Sequence, residues 1–290
     1  MSVLIAGAGG QLGLDLVDAF ADHTLVALGS GELDITDEAA VAEVVHDTAP
    51  SLVLNAAAWT DVDGCEADPQ RAHLVNAIGP WWLARACARL GATLVHISTD
   101  YVFDGTAPLG PGGQPRGWSE FDPVAPINAY GRSKAAGEQL VRETLPAHHL
   151  VRTAWVNGAR GGNFVKTMLR VGRERGVVTV VDDQTGSPTF TRDLAAAIRE
   201  LAVTGRYGTV NRTNEGSCTW YDLAAATFEA AGIEVDLRRQ DSVALDRPAA
   251  RPGWSVLDDT HANAAGLTPL PPWPDGLARL LSELDGADPA

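Results

Sequence analysis

Hydrophobic residues in the first 155 positions are bunched into short runs. Val3-Leu-Ile-Ala6, Thr24-Leu-Val-Ala-Leu28, Leu52-Val-Leu-Asn55 and Thr93-Leu-Val-His-Ile97 are nearly continuous apolar stretches of strand length, the pattern of strands covered on both faces. Between them, Leu12 to Ala21, Glu38 to His46 and Arg71 to Leu90 carry apolar residues at helical spacing, and Asp68-Pro69 supplies a cap and first turn for the last. Strand and helix alternate, which predicts an α/β fold: a Rossmann-like, doubly wound parallel sheet with right-handed crossovers.

A loop rich in Gly and Pro, Thr106 to Pro126, separates the fourth strand from a helix that carries Tyr130 and Lys134. Its length predicts a lid or substrate loop. Another strand, Leu150 to Ala154, ends at Trp155, after which the pattern loosens and prolines cluster at 248–252 and 269–274. With 290 residues the chain exceeds the usual size of a single core. The expected division is a dinucleotide-binding domain over 1–155, joined by parts of 190–212, and a smaller, mainly substrate-binding C-terminal domain over 156–290.

Composition narrows the partners. With 45% apolar and 20% charged residues the chain is an ordinary globular protein. No stretch approaches membrane-spanning length and the N-terminus lacks a basic leader, so a cytoplasmic location is expected. Cys65, Cys87 and Cys218 fit neither a disulfide framework nor a zinc pattern and read as buried, inert thiols. A formal net charge of −15 argues against nucleic acid or an anionic membrane. Residues 1–70 hold 13 acids and no Lys or Arg. A phosphate bound there must therefore rely on backbone N–H groups and hydroxyls.

Gly7-Ala-Gly9-Gly10-Gln11-Leu12-Gly13 follows the first strand and opens the first helix. Glycines at such a turn let a pyrophosphate approach the backbone and the helix N-terminus. A dinucleotide site usually places an acid at the end of the second strand, for the ribose 2′-hydroxyl. Here that position reads Leu28-Gly29-Ser30. A 2′-phosphate is tolerated and Ser30 can bond to it, yet no base stands nearby. NADPH is the expected cofactor, with NADH as the second option.

Tyr130-Gly-Arg-Ser-Lys134 sets two side chains at i and i+4 on one helical face. The chain has only four Tyr and two Lys, so chance would yield about 0.03 such pairs. A cation beside a phenol favours the phenolate and brings a sluggish acid toward working range. Ser98-Thr99-Asp100 follows the fourth strand, at the carboxyl edge where α/β sheets bind ligands. Metal-ligand, nucleophile-elbow and Walker patterns are absent from the sequence. Asp61-Val-Asp63 reads as a solvated turn leading into a helix.

Together these residues resemble the extended short-chain dehydrogenase/reductases. Gly7, Gly10, Gly13, Tyr130 and Lys134 carry the superfamily likeness. Gly10-Gln-Leu-Gly13, Asn55-Ala-Ala-Ala58, Ser98-Thr-Asp-Tyr-Val-Phe-Asp-Gly105, Val151-Arg-Thr-Ala-Trp155 and Asp182-Asp-Gln-Thr-Gly-Ser-Pro-Thr189 point to its branch of deoxysugar-nucleotide reductases. The resemblance implies reduction of the C4 ketone of dTDP-4-dehydro-β-L-rhamnose to dTDP-β-L-rhamnose by a monomer or homodimer. It places Gly10, Gln11 and Leu12 at the pyrophosphate, Asp34 and Ile35 at the adenosine, and Ala56, Ala57, Ala58 and Thr60 along the cofactor's middle. Tyr130 is then the proton donor, and Lys134 binds the nicotinamide ribose. Thr99 and Asp100 contact the sugar, Trp155 packs at the substrate, and Arg251 helps clamp the diphosphate. Some relatives hold Mg²⁺ at a dimer contact, but Arg192 stands where an acidic ligand would help, so no metal is expected.

Two other readings remain open. A dinucleotide-bound regulatory subunit, like that of methionine adenosyltransferase, would not require the intact set Thr99, Tyr130 and Lys134. A sugar-nucleotide dehydratase would place Glu after the Thr-Asp pair, where this chain has Tyr101.

Overall fold

A computed structural model describes residues 1–287. Strands β1 (Ser2–Ala6), β2 (Thr24–Leu28), β3 (Leu52–Asn55), β4 (Thr93–Thr99) and β5 (His148–Thr153) join the strand Gly208–Asn211 in one six-stranded sheet. All neighbours are parallel, and the spatial order is β2-β1-β3-β4-β5 followed by Gly208–Asn211. The chain moves outward from β1 to β2 and then jumps back across β1 to β3. That reversal opens a crevice between the carboxyl ends of β1 and β3, where doubly wound sheets take their ligands.

Side-chain alternation along β1 feeds two cores. Val3 and Ile5 pack with Leu12 and Leu16 of the helix Gln11–Ala19 and with Leu194 and Ile198 of the helix Thr191–Ala202. Leu4 and Ala6 point the other way, to Val41 and Val45 of the helix Glu38–Thr48 and to Leu83 and Cys87 of the helix Gly79–Leu90. Each such buried aliphatic contributes roughly 1.5–3 kcal/mol. Residues 191–211 thus return to the sheet, as one helix and an edge strand.

The segment expected as one helix over Arg71 to Leu90 is broken. Pro69–His73 starts it, with Asp68 Oδ1 accepting from Arg71 N at 3.0 Å, and a π-helical turn over Leu74–Ile78 precedes Gly79–Leu90. Such turns insert a residue and often mark functional positions. This one presents Asn76, whose side chain holds both the N–H and the carbonyl of Trp59, at 2.8 and 2.9 Å, and donates to Ser133 Oγ at 3.0 Å. At its end Gly79 lies under Ile35, because a Cβ there would stand 2.7 Å from Ile35 Cδ1.

The loop Thr106 to Pro126 is not a lid. Trp118 is buried with its ring stacked on Phe103 at 4.6 Å, and its backbone bonds to Val256 and Asp258 at 2.8 Å each. Asn211, on the edge strand, donates its side chain to Trp118 O at 2.8 Å and its N–H to Glu120 Oε1 at 2.9 Å. The loop thus covers the carboxyl end of the edge strand, where Glu120 takes the backbone N–H of Asn211.

Helices Phe164–Glu174, Trp220–Ala230 and Trp273–Ala287 build the smaller core around Val165, Leu169, Leu223, Leu277 and Leu280. Beside it Val177–Val181 pairs in parallel with Asp236–Gln240. The three cysteines are buried and free, and burial pushes the Cys87 and Cys218 thiols up to about 12. Among the described residues no helix is long and apolar enough to cross a membrane.

Candidate active site

The turn after β1 is shaped by what its glycines lack. Gly7 has φ +81°, and a Cβ there would lie 2.5 Å from Ala57 N in the loop after β3. At Gly13 a Cβ would meet Gly7 O at 2.1 Å, so only glycine lets the helix Gln11–Ala19 sit this close to the turn. Gly9, by contrast, faces open space. Helix Gln11–Ala19 begins at Gly10 with no side-chain cap and no acid in its first turn. Its leading N–H groups and positive dipole end therefore suit a pyrophosphate, and the residues present fit a dinucleotide. Ala56, Ala57, Ala58 and Thr60 follow β3 directly, Ala57 against Gly7 and Ala58 and Thr60 exposed. Gln11 is turned away from this turn. Its Oε1 accepts from Gly158 N at 3.1 Å and from Asn163 Nδ2 at 2.9 Å, stapling the turn to the segment 158–163.

At the carboxyl end of β4 the structure gathers Thr99, Asp100 and Tyr130. Asn128 caps the helix Ala129–Thr144 through Gly131 N at 2.8 Å, and this fixes Tyr130 in its first turn. Thr99 Oγ1 donates to Asp100 Oδ1 at 2.9 Å, whereas Asp100 Oδ2 is buried without a partner. Burial lifts the Asp100 carboxyl to about 6, with Ser255 and Thr99 pulling the other way. Burial likewise raises the Tyr130 phenol, opposed by the Thr99 hydroxyl beside it.

Lys134 shares the helical face but serves the sheet. Its ammonium donates to Ile97 O at 2.6 Å and lies 3.4 Å from His96 Nε2, and burial lowers it to about 8. His96 is in turn held by Asn55 at 3.0 Å and kept neutral by burial and by Lys134. In this arrangement Lys134 is no source of the expected lowering of Tyr130. One turn further along, Glu138 accepts from Ser98 Oγ at 2.6 Å and from Arg152 Nε and Nη2 at 2.8 and 2.7 Å. Ser98 and Arg152 are register partners on β4 and β5. This buried pair pins the helix that carries Tyr130, and desolvation is outweighed enough to hold Glu138 below the usual carboxylate value. The i+4 step from Lys134 to Glu138, with the Arg on β5, was its sequence signal.

A cavity of about 690 Å³ opens beside this cluster, lined by Tyr101, Phe164, Trp220, Gln184, Val243 and Arg251 among others. Tyr101 links the two, meeting the Tyr130 ring edge-on at 5.6 Å. Trp155 has φ +47° and stacks on Trp220 at 3.5 Å with its ring over Gly186. It thus backs the aromatic wall, and Trp220 is the member that lines the cavity. Arg251 does not point free into the space: it forms a two-pronged pair with Asp63 at 2.6 and 2.9 Å, which holds that carboxyl well below its ordinary value. The segment 240–251, rather than the loop Thr106 to Pro126, forms the cavity's outer rim.

The adenosine end departs most from expectation. Asp34 Oδ1 is committed to Thr36, accepting from its N–H at 2.9 Å and its hydroxyl at 2.7 Å. Ile35 is buried in the core under Gly79. Ser30 is exposed. A carboxylate does stand at the end of β2, from an unforeseen position: Glu32 Oε2 accepts from Gly29 N at 2.9 Å. Arg192 pairs with Glu283, and among the described residues no group of three or more His, Cys, Asp or Glu is placed to hold a metal ion.

The chain matches the family model of the RmlD substrate binding domain over residues 1–285. It is 46% identical over 285 residues to dTDP-4-dehydrorhamnose reductase of Mycobacterium tuberculosis, covering 97% of this chain and 92% of the relative. It is 43% identical over 282 residues to dTDP-4-keto-6-deoxy-D-glucose reductase of Streptomyces niveus, covering 95% of each. A crystal structure of dTDP-4-dehydrorhamnose reductase from Bacillus anthracis in complex with NADP superposes with a TM-score of 0.92 at 40% identity, covering 97% of this chain and 98% of that one.

Proposed function

From the premise that the chain belongs to the family of the RmlD substrate binding domain, we propose that it reduces dTDP-4-dehydro-β-L-rhamnose at C4 to dTDP-β-L-rhamnose, using NADPH or NADH. The observation that carries this reading is the convergence of Tyr130, Thr99 and Asp100 at the carboxyl end of β4, next to a cavity large enough for a sugar nucleotide.

The dinucleotide, when bound, supplies the hydride; the residues here position the ketone and its proton. Tyr130 donates its phenolic proton to the C4 oxygen as negative charge develops there. Burial keeps that phenol protonated until then. The Thr99 hydroxyl turns its one hydrogen from Asp100 Oδ1 to steady the same oxygen, and the unpartnered Asp100 Oδ2 accepts from a sugar hydroxyl. Lys134, anchored on Ile97 O, offers its remaining donors to the nicotinamide ribose. Gly10, Gln11 and Leu12 serve the pyrophosphate through their backbones. Residues 156–290, apart from the part that returns to the sheet, form the substrate side. A cytoplasmic monomer or homodimer completes the proposal.

The second reading is reduction of another 4-keto-6-deoxy sugar nucleotide, favoured by the near-equal identity to the Streptomyces niveus relative. Tyr101, standing where a dehydratase would carry Glu, weighs against elimination. The test follows NADPH, and separately NADH, by absorbance with each 4-keto sugar nucleotide. Tyr130→Phe is expected to lower kcat about 10²–10⁴-fold with the melting temperature retained. Unchanged turnover in the variant sinks the mechanism. A native protein that binds the dinucleotide but reduces no such sugar is the regulatory subunit instead.

A further inference from the structure

The end of β2 and the glycine turn are stitched together by backbone. Leu28 O accepts from both Gly7 N and Ala8 N, at 2.9 and 3.0 Å. A dinucleotide's adenosine ribose is held at this junction, and an acid at the last position of β2 ordinarily meets its 2′-hydroxyl. Gly29 leaves that position without a side chain. The chain then folds back on itself, with Glu32 N and Leu33 N both donating to Gly29 O at 3.0 Å. This turn returns the Glu32 carboxylate to Gly29 N at 2.9 Å. A Cβ built on Gly29 would lie 3.6 Å from Glu32 Oε2 and 3.9 Å from Gly9 N. The missing carboxylate is therefore supplied from three residues downstream, beside the open face of the turn.

We infer that Glu32 is the residue of this chain that discriminates at the ribose 2′ position: it accepts from a free 2′-hydroxyl and repels a 2′-phosphate. The surroundings leave it unopposed. Residues 1–70 contain no Lys or Arg, Asp34 is occupied by Thr36, and among the described residues Glu32 forms no ion pair. The inference deepens the proposed function and rests only on its claim that the chain binds a nicotinamide dinucleotide. The phosphorylated form still binds, held through its pyrophosphate and nicotinamide halves, with its affinity reduced relative to the unphosphorylated form.

Titration calorimetry with NADP⁺ and NAD⁺ in the absence of any sugar tests it. Glu32→Gln keeps an oxygen for Gly29 N and removes the charge. It is expected to lower the ratio Kd(NADP⁺)/Kd(NAD⁺) about tenfold, the size of one unit-charge repulsion near a protein surface. In the native protein the same ratio falls as NaCl is raised, because salt screens an exposed charge, and in the variant it falls less steeply, since only the other acids of residues 1–70 remain to repel the phosphate. A ratio equal within twofold in the two proteins, or one insensitive to salt in the native protein, overturns the inference while leaving the proposed function intact. Binding of neither dinucleotide by folded native protein overturns both.

Discussion

At the carboxyl end of β1 the glycine turn is made of backbone, whereas two strands away the seam beneath Tyr130 is made of buried side chains. Gly7, Gly9, Gly10 and Gly13 work through the Cβ atoms they lack, and the helix they open is left uncapped. Under Tyr130, Ser98, Glu138 and Arg152 are nearly inaccessible and joined by three hydrogen bonds across two strands and a helix. The turn leaves donors unsatisfied for a ligand to complete. The seam pairs its charges with each other and so fixes where the helix lies. One region stores binding capacity and the other stores position, and substitutions in the two should fail differently.

The sharpest way to break that contrast is Glu138→Ala. Removing one member of a buried ion pair strands the other, and such losses run to about 3–5 kcal/mol. Arg152 is only 2% exposed and its Nη1 already lacks a partner, so the guanidinium left behind is a buried, under-satisfied charge. Urea unfolding should show a loss in that range, with Glu138→Gln losing less because an amide oxygen can still accept. A loss below about 1 kcal/mol for the alanine variant would mean that the helix is held by its apolar contacts instead.

Asp100 sits between the two regions and combines their logic, being buried like the seam yet unsatisfied like the turn. Its folded carboxyl is raised to about 6 from an ordinary 3.8. A raised acid contributes stability below its unfolded value and loses it as pH climbs through its folded value. Native stability relative to Asp100→Asn should therefore fall between about pH 4 and pH 6. At pH 7 the Asn variant should be the more stable by about 1–3 kcal/mol, with a raised KM for the sugar nucleotide. A stability difference that is flat across this range would show that the carboxylate is satisfied in solution.

The contrast also explains what could be read from the sequence. The sheet, its strands and the glycine turn were legible because each depends on local pattern: apolar runs, helical spacing, glycines after a strand. Tyr130 stood out as a candidate because Tyr and Lys are scarce in this chain, and Thr99 and Asp100 because they directly follow the fourth strand. Glu32 was not, since its role depends on a turn that folds three residues back onto Gly29. His96 was hidden for a related reason, because its partners Asn55 and Lys134 lie on another strand and a helix, and Glu138 had only its i+4 step from Lys134, with its partner Arg152 on β5. The loop Thr106 to Pro126 misled because glycine and proline report irregular backbone, and irregular backbone serves an edge strap as readily as a lid.

The smallest stability effect is expected where the backbone-built region is touched at its open face. A Cβ added at Gly9 would meet nothing within 4 Å, so Gly9→Ala should unfold within about 0.5 kcal/mol of the native protein. The added methyl group stands on the face that a pyrophosphate must approach, and dinucleotide affinity should fall at least about tenfold, a change of about 1.4 kcal/mol. Gly13→Ala is the matched comparison, because its Cβ would collide with Gly7 O at 2.1 Å. It should lose stability as well as affinity. Calorimetric Kd values for NAD⁺ and NADP⁺, set beside unfolding curves for both variants, separate the two cases. If Gly9→Ala proved as unstable as Gly13→Ala, or bound dinucleotide as well as the native protein, the turn would owe its glycines to packing alone.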